Sequence, residues 1–190
     1  MVYTHSSCNL AASASMDPHG GLFRLRRPND IQPGVVNLEI SGSKAKKFWI
    51  FDEHYFDRHV SNQPLHKRGW VVQERLLAPR VLYFSEYQIL WECFAEQKCE
   101  GFPHSIPLHR SLKNFKALFK GLDKETAETQ IDWISTFTLW HNIIEHYSGC
   151  ALTKPGDKLV AISGLAKVFK HFTGDEYVAG LWRSLTFEKI

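Results

Sequence analysis

In the last third of the chain, apolar residues recur at steps of three and four, the spacing that keeps side chains on one face of a helix. Trp133, Phe137, Trp140, Ile144 and Tyr147, widened by Ile131, Ile134 and Ile143, predict a helix over 132–147. A Lys-Pro-Gly-Asp turn at 154–157 separates it from Leu159, Ile162, Leu165, Phe169 and Phe172, which predict a second. Val178, Leu181, Trp182 and Leu185 continue the same period. These segments predict a C-terminal helical bundle within 111–190.

Upstream, the period shortens towards two. Residues 1–34 interleave small side chains with Asp17-Pro18, Gly20-Gly21 and Pro33-Gly34, so they read as loop with one short strand near Cys8 to Ala12. Runs at 35–40 and 47–51 predict two strands across a polar turn, and the charged, His-rich stretch 52–64 an exposed connection. Trp70, Val71, Leu76 and Leu77 then suit a helix over 65–77, which Pro79 cannot continue. Runs at 80–84 and 87–94 predict a β-hairpin, and two Pro and a Gly make 99–107 a long loop. In the second strand Tyr87, Ile89, Trp91 and Cys93 alternate with Gln88, Leu90, Glu92 and Phe94; the first set, wholly apolar, is expected to face the helix. The prediction is an α+β chain: N-terminal strands and loops, a central helix plus β-hairpin over 1–110, and the helical region 111–190 packed on it.

Composition narrows the class. At 190 residues, 44% hydrophobic and 13% aromatic, the chain can hold a core, which excludes a disordered or collagen-like polymer. Lys and Arg exceed Asp and Glu by 23 to 20, too small a margin to imply nucleic acid. The tight cluster Lys44, Lys46, Lys47 reads as a solvated turn. No apolar run approaches the length of a bilayer span, the N-terminus lacks a signal-peptide pattern, and four scattered Cys form no disulfide framework. A cytoplasmic chain without a membrane span is the expectation.

Candidate chemistry is sparse. Nucleotide-binding glycine loops, the G-x-S-x-G elbow and H-E-x-x-H do not occur. Cys93, Cys99, His104 and His109 are zinc-ligand types, but their spacing departs from the close Cys pairs of structural zinc sites and Cys93 falls on an apolar strand face, so no metal is assigned. His141 and His146 lie roughly 140° apart around a helix and cannot share an ion. Glu74, Glu92, Glu96 and Glu100 could supply paired carboxylates for acid and base work. A carboxylate alternating with apolar residues in a strand more often pairs with a cation, here Arg68, Arg75 or Arg80. No cofactor is assigned.

One long segment carries a resemblance. R-G-W-V-V-Q-E-R-L-L-A-P-R-V-L-Y-F, from Arg68 to Phe84, followed by Q-I-L-W-E-C from Gln88 to Cys93, resembles the signature of fungal heterokaryon incompatibility (HET) domains. Cys8-Asn-Leu-Ala-Ala with Gly20-Gly-Leu-Phe upstream, and Ser163-Gly-Leu-Ala with Tyr177-x-Ala-Gly-Leu-Trp downstream, are similar to further family segments. The signature falls on Arg68, Gly69, Trp70, Gln73, Glu74, Leu77, Arg80, Phe84, Gln88, Trp91, Glu92 and Cys93. Its implied role at these positions is structural or interaction-making, with charge-assisted pairs such as Arg80 with Glu92 or Arg68 with Glu74. The family's Y-x-x-L-S-Y-x-W-G-like and I-D-x-x-C-I-x-Q-like segments do not occur, so the resemblance implies the C-terminal part of a HET domain without its N-terminal half. That reading implies a non-catalytic partner of other proteins in non-self recognition and programmed cell death. The alternative, through the likeness of HET domains to TIR folds, is an NAD- or nucleotide-cleaving enzyme using Glu74 or Glu92.

Overall fold

Helix α1, Gly69–Leu77, lies between a β-sheet and a pair of longer helices, and its sequence explains the position. Val72, Leu76 and Leu77 are buried among side chains of the C-terminal helices, while Arg75 reaches into the sheet. Ala78 turns extended and Pro79 follows, which ends the helix where expected. The computed structural model describes residues 2–39, 44–50, 52, 54–106, 112–114 and 133–184. The expected stripe positions Ile131 and Leu185, and His109, lie outside them.

A mixed sheet takes the order β1-β4-β5-β6, from β1 Asn9–Ala11, β4 Arg80–Phe84, β5 Ile89–Cys93 and β6 Gln97–Cys99. β1 runs parallel to β4, pairing Leu10 with Leu82; β4 and β5 form the predicted hairpin, with Val81 opposite Glu92 and Leu82 opposite Trp91. Strand β6, which the sequence reading did not anticipate, ends at Cys99, where the expected loop begins. The strands β2 Gly34–Leu38 and β3 Lys46–Ile50 pair antiparallel as a separate ribbon, with Val35 opposite Trp49.

Helices α2, Trp133–Ser148, and α3, Lys158–Thr173, occupy the predicted segments. Trp140, Ile143 and Tyr147 of α2 meet Ala161, Ile162, Leu165, Ala166 and Phe169 of α3 around buried Trp182. Gly174, in the left-handed conformation, terminates α3. Ile134, expected in the stripe, is 81% exposed. Among the described residues, no helix is long and apolar enough to cross a membrane.

Three expectations are corrected. The segment read as helical near the C-terminus is a small hairpin, β7 Tyr177–Val178 and β8 Leu181–Trp182, because Ala179 and Gly180 both take positive φ and turn the chain between them. The stretch 52–64 is not merely an exposed connection: a wide helical turn, Asp57–Ser61, follows Phe56, and Phe56 and Val60 are sealed in the sheet-side core. The predicted helix 65–77 is broken at Arg68 into a short 3-10 turn, Pro64–Lys67, and α1. There the backbone instead bonds across to Ala151, with Gly69 N–H donating to the Ala151 carbonyl at 2.8 Å and Ala151 N–H to that of Lys67 at 2.7 Å.

Close packing of α1 on α3 depends on Gly164. A Cβ there would stand 2.3 Å from Gln73 Oε1, the atom that accepts the Gly164 N–H at 2.7 Å. Gly164→Ala should therefore lower stability by about 1–3 kcal/mol despite the better helix propensity of Ala. Adding Gln73→Ala should restore part of the loss in urea denaturation; a double variant no more stable than the single one would place the strain elsewhere.

Candidate functional site

The buried face of β5 is opposite to the one the apolar pattern suggested. Gln88, Leu90 and Glu92 are each 0% exposed, whereas Ile89, Trp91 and Cys93 are half-buried on the outer face beside Leu10 and Leu82. A polar face can point inward because α1 delivers a cation to it. Arg75, 5% exposed, donates to Glu92 from Nε to Oε2 at 3.0 Å and from Nη2 to Oε1 at 3.1 Å. This bidentate geometry is the strong form of carboxylate pairing.

Further groups complete the cluster. The Tyr83 hydroxyl donates to Glu92 Oε2 and accepts from Arg75 Nε at 3.0 Å, and Gln97 Nε2 donates to Glu92 Oε1 at 2.8 Å. The Arg75 guanidinium lies 5.0 Å from the Phe56 ring centroid. His66 stacks edge-on to Tyr83 at 5.3 Å and shares a 3.0 Å hydrogen bond with Ser13 Oγ. Burial opposes the Arg75 charge, but adjacent Glu92 outweighs it and raises the guanidinium further above its ordinary range. Burial likewise pushes the Tyr83 hydroxyl well up, and lowers the amine of buried Lys113 to about 8 against the opposing pull of Glu92.

The signature residues are distributed as ties between elements. Gln73 joins α1 to α3 through Gly164; Glu92 joins β5 to α1, β4 and β6. Gln88 donates to the Tyr55 hydroxyl at 2.6 Å and accepts the Gly101 N–H at 3.4 Å. Gly69 permits contact with Leu152, where a Cβ would come to 2.7 Å from Cδ2, and Leu77 is core. Phe84 meets Phe23 edge-on at 5.8 Å. Trp70 and Arg68 are exposed.

Two expected pairs are corrected. Arg80 lies opposite Cys93 on the outer face, so it cannot reach Glu92, and it donates instead to the Ser7 carbonyl at 3.3 Å. Glu74 hydrogen-bonds the Tyr3 hydroxyl, whose pKa burial and that carboxylate raise to about 12, rather than pairing with Arg68. The remaining candidate carboxylates are engaged separately: Glu96 with Lys98 at 2.9 Å, and Glu100 with Arg26 and the Ile89 N–H. Glu74 and Glu92 thus share no site. Cys99 faces the core and Cys93 the outer face, so the two cannot ligate one ion, and among the described residues no group of three or more His, Cys, Asp or Glu could hold a metal.

Residues that sequence reasoning left out of the site are Tyr83, Gln97 and, except as one of three partners for Glu92, Arg75. The signal for Tyr83 was present: it shares its strand face with Val81, whose register partner is Glu92. A hollow of about 610 Å³ lies elsewhere, between Ile31, Pro33, Trp49, Phe102 and Pro103, and no signature residue lines it.

Comparison with known protein families gives a match over part of the chain. Residues 1–74 fit the family model described as Heterokaryon incompatibility protein (HET). The match ends at Glu74, inside α1, so it takes in Arg68, Gly69, Trp70, Gln73 and Glu74 and stops short of the hairpin that carries Glu92. No curated protein and no solved structure matches the chain. Over its first 74 residues, less than half of its length, the chain is similar to the heterokaryon incompatibility (HET) family.

Proposed function

We infer that this chain is a non-catalytic protein-interaction module acting in fungal non-self recognition and the cell death that follows it. The family match ties the chain to heterokaryon incompatibility. The observation that carries the non-catalytic reading is the burial of Glu92. Its carboxylate is 0% exposed and its two oxygens accept from Arg75, Tyr83 and Gln97, an arrangement that fixes four elements and leaves no open side for a substrate. A general acid or base must come within hydrogen-bond reach of the atom it serves. Contact surface is meanwhile available on the β2–β3 ribbon, where Val35, Leu38, Phe48, Trp49 and Ile50 are exposed.

Incubation of purified protein with NAD, following nicotinamide by chromatography, tests this reading. Release should not exceed the protein-free control. Turnover that disappears in a folded Glu92→Gln or Glu74→Gln variant would replace the interaction module with a hydrolase.

A further inference from the structure

The hollow of about 610 Å³ is built from three separate stretches of chain. Ile31 closes a 3-10 turn, Pro28–Ile31, and Pro33 leads into β2; Trp49 comes from β3, where it pairs with Val35; Glu100 to Ser105 follow β6. The third stretch is tied down at both ends. Cys99 N–H donates to the Phe102 carbonyl at 3.2 Å, Phe102 N–H to Cys99 Sγ at 3.3 Å, and Ile106 N–H to the Gln97 carbonyl at 3.0 Å. The Phe102 ring stands edge-on to Tyr55, with 5.4 Å between centroids. Gly101 lets the first stretch press against the third, since a Cβ there would lie 2.3 Å from the Ile31 carbonyl oxygen. A cavity framed in this way exists before a ligand arrives, and its volume falls within the range of roughly 300–1,000 Å³ that small-molecule sites span.

The lining specifies a chemical class. Ile31, Pro33, Trp49, Phe102 and Pro103 offer apolar and aromatic surface, on which a flat ring system packs without ordering many rotatable bonds. Among the described lining residues there is one carboxylate, Glu100, and no lysine or arginine. The Glu100 side chain is 37% exposed, and both of its partners, Arg26 Nη1 and the Ile89 N–H at 2.7 Å, bond to Oε2. Oε1 has no partner among the described residues and remains an acceptor for a ligand. We propose that the hollow binds a flat aromatic molecule bearing an amine or amidine nitrogen, its rings against Trp49, Pro33 and Phe102 and its N–H group donating to Glu100 Oε1.

The same chemistry sets the selectivity. A carboxylate or phosphate on the ring would meet Glu100 with no cation in the described lining to offset it, so nucleotides are rejected along with simple aromatic acids. An uncharged ring fills the walls equally well but forgoes a charge-assisted hydrogen bond, which is stronger than a neutral one. Lys47 Nζ lies over the Trp49 indole, 4.7 Å from the ring centroid, and leaves the other face of that ring for a ligand. No residue of the Arg75–Glu92 cluster lines the hollow, so the site is independent of whether the chain acts as an interaction module.

Equilibrium dialysis of the full chain against naphthamidine, naphthamide and naphthoate tests the assignment, because the three share one ring system and differ in charge. Naphthamidine should bind at one equivalent per chain with a Kd below about 1 mM, which a molecule of this size can reach. Naphthamide should bind about tenfold more weakly, and naphthoate more weakly still. Trp49→Ala, at a position already 58% exposed, should weaken naphthamidine binding at least about tenfold. Glu100→Gln, which keeps a side-chain oxygen for Arg26 and the Ile89 N–H, should bring amidine and amide to within about twofold of each other. Should either change disturb the fold, as judged by circular dichroism, Ser105→Arg, at an exposed position of the same lining, should abolish amidine binding by charge and bulk. A wild-type chain with no saturable binding, naphthoate bound as tightly as naphthamidine, or folded variants that bind the amidine unchanged would each overturn the proposal.

Discussion

Replacing Arg75 by Met should lower folding stability by about 3–5 kcal/mol, read as a fall in the urea midpoint with little change in slope. The size of the effect comes from what remains. Glu92, 0% exposed, would keep its charge in the core after losing the bidentate guanidinium, with the Tyr83 hydroxyl and the Gln97 amide still bonded to it. Breaking a buried pair from one side costs more than the pair contributes, since the surviving ion bears its desolvation alone. The double variant Arg75→Met/Glu92→Leu should accordingly lose much less than the two single losses added together, and it could approach the wild type. Tyr83→Phe, which removes one hydrogen bond to a charged group, should cost about 1.5–3 kcal/mol. An Arg75→Met protein within about 1 kcal/mol of wild type would mean that the cluster does not hold α1 to the sheet and that Glu92 is free for other work.

That cluster also marks where the sequence ceased to be legible. The places of α1, α2, α3, β4 and β5 follow from period alone, because each is a run of side chains that must share a face to be buried. Phase is a different matter. Along β5 the pattern offers one apolar row, Ile89, Trp91 and Cys93, and one row carrying Gln88 and Glu92; hydrophobicity assigns the first to the core. The fold takes the second, since Arg75 arrives from another element to neutralise Glu92, and Tyr55 arrives to satisfy Gln88. No window of β5 contains either partner. The same limit explains Arg80: nearness in sequence to a carboxylate strand suggested a pair, but strand alternation points Arg80 and Glu92 to opposite faces. In the β7–β8 hairpin, positive φ at Ala179 overrode a helical period, and non-Gly residues give little warning of that.

Acidification should destabilise the protein, and His66 should account for the steepest part of the fall. Burial lowers its pKa to about 3, Arg75 beside it acts in the same direction, and Glu92 opposes both. The ring is 3% exposed, shares its Nε2 hydrogen bond with Ser13 Oγ and lies edge-on to Tyr83. In the unfolded chain the imidazole protonates near pH 6.5, so between that value and about 3 the unfolded state holds a proton that the folded state lacks. Stability is thus fully present above about 6.5 and falls with pH below it, by about 1.4 kcal/mol per unit for each such group. From pH 6.5 to 5 His66 alone should remove about 2 kcal/mol. His59 and His146 are lowered as well, chiefly by burial, and steepen the fall in the same direction. His66→Gln keeps a side-chain amide for Ser13 and does not titrate. It should be less stable at pH 7.5 for want of the ring contact with Tyr83, yet lose about 2 kcal/mol less than wild type on going from pH 6.5 to 5, in urea unfolding at each pH. Parallel pH profiles for the two proteins would show that His66 takes up its proton inside the folded chain. The sheet core around Glu92 would then be open to water after all.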